Sequence, residues 1–271
     1  MRKRVQGEKM KIVLSMVGLV ITLLFLSACT NNTDAIPDSG AQTASKKAPD
    51  FTQKEIFSAD GHTITYEGHN GNGFVRSYKN GKKDGISALY RNGELYAEKS
   101  YKNDILDGWT IYYSPPYTSR KTYYVNGKKH GVVTQWCDDG KRLKLREHYN
   151  HGNLDGLSEE WRCIGKYYLT RSTEYQNGKK DGVEKIYDDI NYRDGSLYSS
   201  IGYKNGKKDG VSKTYHRKGK LCCLDTYKNG ILEGESKFWD HTGKLTKESV
   251  YKNGREFDMN GNFIPKIKEK S

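Results

Sequence analysis

The chain has 271 residues, 46 Lys+Arg against 33 Asp+Glu for a formal net charge of +13, and only 34% hydrophobic residues beside 21 Tyr and 29 Gly. That composition is too polar for a thick two-layer core and too aromatic for disorder. A thin sheet of repeats, each burying its face only against its neighbours, accommodates it.

Residues 1–28 have a basic start (Arg2, Lys3, Arg4, Lys9, Lys11), then an apolar run over 12–26, in the order of regions of a secretory signal. The run is shorter than the roughly 17–25 residues a spanning helix needs. Leu26-Ser27-Ala28-Cys29 directly follows it and resembles the lipobox of bacterial lipoproteins. The resemblance implies that Cys29 is lipidated and becomes the mature N-terminus, so that the membrane is met through an N-terminal lipid. Met10-Lys11 is an alternative start of the same signal. Thr30 after Cys29 implies, by resemblance to the sorting rule of Gram-negative lipoproteins, the outer membrane if the cell has one. Without residues 1–28 the chain loses five basic residues and Glu8 and keeps a net charge of +9. A basic exported chain is expected to meet anionic surfaces rather than nucleic acid.

Residues 29–50 are rich in Ser, Thr, Asn, Ala and Pro and read as a flexible tether. The folded part is expected over 51–264. It opens with two or three loosely alternating strands before Tyr78. The glycines between Gly68 and Gly73 do not spell a phosphate loop, because no helix start follows them.

Tyr-Lys-Asn-Gly-Lys-Lys-Asp-Gly then stands at 78–85 and again, letter for letter, at 203–210. Asn-Gly suits the two positive φ angles of a type I′ hairpin turn, and Tyr suits a half-buried pleated surface. The last glycine recurs at Gly85, Gly108, Gly131, Gly156, Gly182, Gly210 and Gly234, so about seven hairpin units of 23–28 residues follow one another. Five residues after each stands an aromatic (Tyr90, Tyr113, Trp136, Trp161, Tyr187, Tyr215, Trp239). A second turn with its own glycine comes next, then pairs such as Leu95/Tyr101, Leu143/Tyr149, Leu197/Tyr203, Leu221/Tyr227 and Leu245/Tyr251. By strand parity, positions one and five after the glycine share a face, as do Leu and Tyr of the second strand. The expectation is one face of aliphatic and aromatic side chains and one of Ser, Thr, Lys and Glu. Pro115-Pro116 falls where a turn is due. The fold class is all-β, an elongated single-layer antiparallel meander, about 65 Å long at the usual strand spacing.

The pattern Tyr-x-Asn-Gly-x-x-Asp-Gly, an aromatic five residues on, then Gly-x-Leu and the next Tyr resembles the bacterial variant of the MORN repeat, as found in the YwqK family. It covers roughly residues 74–254. The resemblance implies elongated hairpin sheets, and it brings the label of antitoxin, with a toxin as possible partner; an export signal departs from a cytoplasmic antitoxin. Residues 257–263 look like a degenerate final half-unit, and the Lys-rich 265–271 like a frayed tail.

No residue set spells catalysis: nucleophile elbow, P-loop and kinase signatures are missing, so neither an enzyme nor a cofactor is expected. Cys137 and Cys163 end equivalent strands of adjacent units, where an intervening strand would hold them about 10 Å apart, beyond a bridge's reach of about 7 Å, unless a local loop brings them together. Cys222 and Cys223 point to opposite faces of a regular strand, against a vicinal bond or a metal site. His148 and His151, with Glu147 and Asp155, flank a turn rather than form a metal site; Asp138-Asp139 and Asp188-Asp189 occupy hairpin ends. What remains is a ladder of turn lysines, Lys82, Lys83, Lys128, Lys129, Lys179, Lys180, Lys207 and Lys208. In register these would form a ridge for an extended anionic partner, or a solvated edge partly cancelled by Asp84, Asp181 and Asp209. The expected function is a lipid-anchored envelope scaffold that binds an unidentified protein or anionic polymer.

Overall fold

The computed structural model describes residues 47–51, 55–57, 61–187 and 194–265. The signal segment, Cys29, the tether up to residue 46, Asp188-Asp189 and residues 266–271 lie outside the described residues.

Twenty-one strand segments form one open antiparallel sheet. It is a meander, because each strand pairs with the ones just before and after it in the chain, as Leu169–Gln176 does with Gly156–Trp161 and Lys179–Tyr187. The turns are the expected ones. Asn80-Gly81 (φ 51° and 75°) and Asn205-Gly206 (φ 49° and 83°) both take the left-handed region, as a type I′ turn requires. His151-Gly152 and Asn103-Asp104 occupy equivalent turns with the same signs of φ. The stretch from Gly68 to Gly73 is likewise a hairpin, around Asn70-Gly71.

Each unit carries two irregularities. The first is at the anchoring glycine: Thr173 faces Glu184, but Tyr175 already faces Lys180, so the chain bulges through Asp181, Gly182 and Val183. Gly182 sits at φ 116°, and a Cβ there would come within 2.8 Å of the Glu174 Cβ. Ser77, Ser100, His148 and Thr226 stand in the same relation to Gly85, Gly108, Gly156 and Gly234. At Gly131 and Gly210 the space is open; across from Gly210 stands another glycine, Gly202. The anchoring glycine therefore supplies a left-handed backbone as well as room.

The second irregularity precedes the aromatic that ends the first strand. Gln135 faces Leu145 and Trp136 faces Leu143; Thr214 faces Cys223 and Tyr215 faces Leu221. One residue of the second strand is thereby extra in each unit: Tyr96, Ser119, Lys144, Thr170, Tyr198, Cys222 and Thr246. The Thr170 and Thr246 hydroxyls donate to the carbonyls of Glu160 and Phe238 across this bulge.

Burial corrects the assignment of the faces. Val183 faces Gly202, and Tyr203 faces Gly182, so the valine one residue after the anchor and the turn tyrosine lie on opposite faces. Val183 and Val211 are 37% and 46% exposed. Small polar residues, Thr110, Thr122, Thr173, Ser199, Ser236 and Ser249, are buried beside Leu95, Ala97 and Val133. Some face their like in the next strand, as Thr110 does Thr122 and Ser236 does Ser249, whereas Val133 faces Glu147 and Thr173 faces Glu184. In a single layer a small side chain is buried by its long neighbours: tyrosine rings and lysine stems on the same face lie across the hydroxyl row.

Aromatic contacts stand near both ends of the sheet. Phe51 lies against Gly68 and Gly73, where a Cβ would come within 3.1 Å and 2.9 Å of it, and its ring meets Tyr90 edge-on at 6.2 Å. At the far end Phe257 pairs with Phe263, with ring centroids 5.8 Å apart, as a final half-unit.

Cys137 and Cys163 are joined in a disulfide with a Cα separation of 5.6 Å, against the expected strand spacing. Both lie one or two residues beyond the strand ends at Trp136 and Trp161, and the strand between them begins only at Leu143. Past that point no ladder holds the two segments at sheet distance, and they lean together.

Candidate binding ridge along the turn edge

The turn edge is built by a bond pattern that repeats from unit to unit. The backbone N–H of the turn asparagine donates to the carboxylate of the preceding motif: Asn126 to Asp107 at 3.1 Å, Asn205 to Asp181 at 2.9 Å, Asn229 to Asp209 at 3.0 Å. Glu233 serves Asn253 in the same way at 2.6 Å. The turn glycine N–H donates to the carbonyl two residues before the previous anchor, as Gly206 does to Lys180 and Gly230 to Lys208, both at 2.8 Å. Each turn is hydrogen-bonded to the next, so their side chains are held in register. The motif aspartates are thus fasteners of the ladder rather than mere counter-charges.

The eight ridge lysines separate into two rows. The second of each pair folds back onto the tyrosine of the following turn: the Nζ of Lys83, Lys129, Lys180 and Lys208 lies 5.2, 4.4, 4.8 and 4.8 Å from the ring centres of Tyr101, Tyr149, Tyr203 and Tyr227. Lys129 also donates to the Tyr149 hydroxyl at 3.3 Å, and burial followed by the Arg120 charge lowers its pKa. Burial, then the Glu147 carboxylate, pushes the Tyr149 hydroxyl up to about 12. Lys180 further donates to the buried Glu184 at 2.6 Å. These four lysines hold the sheet together.

The first lysines, Lys82, Lys128, Lys179 and Lys207, are exposed. Their stems pass over the next turn: a Cβ on Gly152, Gly206 or Gly230 would lie 3.7, 3.8 or 3.9 Å from the β-carbons of Lys128, Lys179 and Lys207. The equivalent position in the other units is Ile105, Asn153 or Ile231, so the row reads Lys82, Ile105, Lys128, Asn153, Lys179, Lys207, Ile231 in chain order. Ile105 is 48% and Ile231 53% exposed, and both pack on a turn glycine, Gly127 and Gly254. A search for lysines alone misses these three positions; counting three residues back from each anchoring glycine finds them. At about 10 Å per unit, the row offers Lys82, Lys128 and Lys179 separated by an apolar or amide side chain, with Lys179 and Lys207 adjacent.

The remaining candidates do not come together as a site. The His148 Nδ1 donates to the Leu157 carbonyl at 2.7 Å, and the His151 ring meets that of His130 at a tilt, with centroids 4.8 Å apart. Asp139 accepts the backbone N–H groups of Lys141 and Arg142 and the Arg142 guanidinium, as a turn aspartate does. Cys222 and Cys223 are free thiols, but the bulge places their sulfurs 3.1 Å apart rather than on opposite faces.

A family model described as MORN repeat variant matches residues 208–229 and 232–253. A search of curated proteins gave no match. Among solved structures, an alternansucrase in complex with isomaltononaose aligns over 75% of this chain and 16% of that one, at 16% identity and a TM-score of 0.19. A likeness of that size carries no argument about fold or activity.

Proposed function

We propose that the chain is a lipid-anchored cell-envelope protein whose repeat sheet is a non-catalytic scaffold for another protein or an anionic polymer. The observation that carries the reading is the exposed row of Lys82, Lys128, Lys179 and Lys207, held in register by turn-to-turn hydrogen bonds. MORN repeats and a β-repeat sheet fit such a scaffold. Export is supported by the order of regions in residues 1–28, by the lipobox-like residues before Cys29, and by the Cys137–Cys163 bridge, since disulfides persist in oxidising compartments. The motif's resemblance to the YwqK family supports a second reading, an immunity partner that neutralises a toxin on the exported side.

The test is a pull-down with the mature chain and with a variant carrying Glu at Lys82, Lys128, Lys179 and Lys207. Loss of retention on cell-wall or anionic-lipid fractions is expected, and unchanged retention rejects the ridge. Co-purification of a toxin that the chain neutralises replaces the scaffold by the second reading. Processing that is sensitive to globomycin and abolished by Cys29→Ala is expected of the anchor; processing indifferent to both rejects it.

A further inference from the structure

Cys222 and Cys223 lie in the strand Leu221–Lys228, and adjacent residues of a regular strand point to opposite faces. Here the strand is not regular. Thr214 faces Cys223 while Tyr215 faces Leu221, so Cys222 is the extra residue of the bulge. At the equivalent bulge position of two other units stands a threonine, Thr170 or Thr246, whose hydroxyl donates across to a strand carbonyl. The Cys222 thiol instead meets the Cys223 thiol, with sulfurs 3.1 Å apart and both residues half-buried.

We infer that Cys222-Cys223 is a redox modification site, which closes to a vicinal disulfide with a small-molecule disulfide such as glutathione disulfide as oxidant. The Cys222 thiol gives up its proton and its sulfur attacks the donor, forming a mixed disulfide and releasing one thiol. The Cys223 sulfur, on losing its proton, displaces the second thiol and forms the intrachain bond. Two protein thiols are oxidised, and the donor leaves as two thiols. Burial, then the hydrogen bond with Cys222, pushes the Cys223 thiol up to about 12. Neighbouring α-carbons lie about 3.8 Å apart, shorter than the 4.4–6.8 Å usual for a bridge, so the ring is strained and easily reduced. Cys137–Cys163, at 5.6 Å, lies within that range.

The experiment exposes the full folded chain to glutathione disulfide, alkylates it with N-ethylmaleimide after unfolding, and weighs the peptide that contains residues 222 and 223. The expected peptide has lost both maleimide adducts and two hydrogens. Graded dithiothreitol is expected to restore both adducts before Cys137 and Cys163 become alkylated. Cys222→Thr, which puts the residue of the equivalent bulges in place, is expected to leave Cys223 alkylated by a single maleimide. The inference is overturned by two maleimides on the wild-type peptide with Cys137–Cys163 intact, by a retained glutathione, or by linkage to Cys137, Cys163 or another chain.

Discussion

The Asp181 carboxylate accepts the backbone N–H of Asn205 at 2.9 Å, across 24 residues of chain, and so joins one type I′ turn to the next. A hydrogen bond of this kind is worth about 1 kcal/mol, somewhat more with a charged acceptor. Asp181→Ala and Asp209→Ala are each expected to lower stability by about 1 kcal/mol in urea denaturation. Asp→Asn at the same positions retains an acceptor oxygen and is expected to cost less. Equal losses for Ala and Asn would remove the ladder as the cause.

The anchoring glycines are expected to differ in their tolerance of a side chain. Ala at either Gly182 or Gly210 must hold a left-handed backbone, at roughly 1–2 kcal/mol. At Gly182 the new Cβ also lies 2.8 Å from the Glu174 Cβ, whereas at Gly210 nothing lies within 4 Å. Gly182→Ala is therefore expected to be the more damaging in thermal unfolding, and Gly182→Ala combined with Glu174→Gly should recover part of the difference. No recovery would show that the backbone angle alone decides.

The two lysine rows should separate stability from binding. Lys208→Met removes a cation over the Tyr227 ring and is expected to cost about 0.5–1 kcal/mol. Lys180→Met also leaves the buried Glu184 without its partner at 2.6 Å, and is expected to cost about 2–3 kcal/mol. Lys179→Met and Lys207→Met alter exposed side chains and should leave the urea midpoint within about 0.5 kcal/mol of the parent. Destabilisation by the exposed row equal to that by the folded-back row would contradict the division.

The Asp139 carboxyl is held down from 3.8 to about 2, first by the Arg142 backbone N–H, then by that of Lys141 and by the Arg142 side chain. A folded pKa below the unfolded one means stability that is present above 3.8 and lost as the pH falls through about 2. In a carboxyl NMR titration, Asp139 should have its midpoint near 2 in the parent. Arg142→Ala removes the guanidinium but keeps both backbone donors, and should move the midpoint only part of the way back. A parent midpoint near 3.8 would show that the turn bonds do not form in solution.

The turns were the most legible part of the sequence, because Asn-Gly is a local statement: two residues accept positive φ, and the strands on either side follow. Gly85 to Gly234 could likewise be counted as anchors. Parity failed where the chain takes an extra step. The bulge before each strand-ending aromatic is a single-residue shift, and such a shift exchanges faces, whereas the bulge through residues 181–183 shifts by two and keeps them. Hence Val183 and Val211, assigned to a packed face by alternation, are partly exposed, while Ser236 and Ser249 are buried. The same bulge brings Cys222 beside Cys223. Sheet spacing speaks against the Cys137–Cys163 bridge but governs only residues still inside the ladder, and past the strand ends the alternative of a local loop joining them holds. Asp181 and Asp209 were seen as charges because their partner N–H lies a whole unit away, and nothing local marks that bond.

The turn-to-turn bonds make most seams of the array alike: an asparagine N–H to an acid at Asn126, Asn205, Asn229 and Asn253, and a turn N–H to a carbonyl, while His130 and His151 take the acid and asparagine places at one seam. Seams this similar mean that a gene can splice units in or out between equivalent turns with little change of junction. The span of partner such a chain can follow is then written in copy number, and single substitutions at Ile105, Asn153 or Ile231 set what each added step presents.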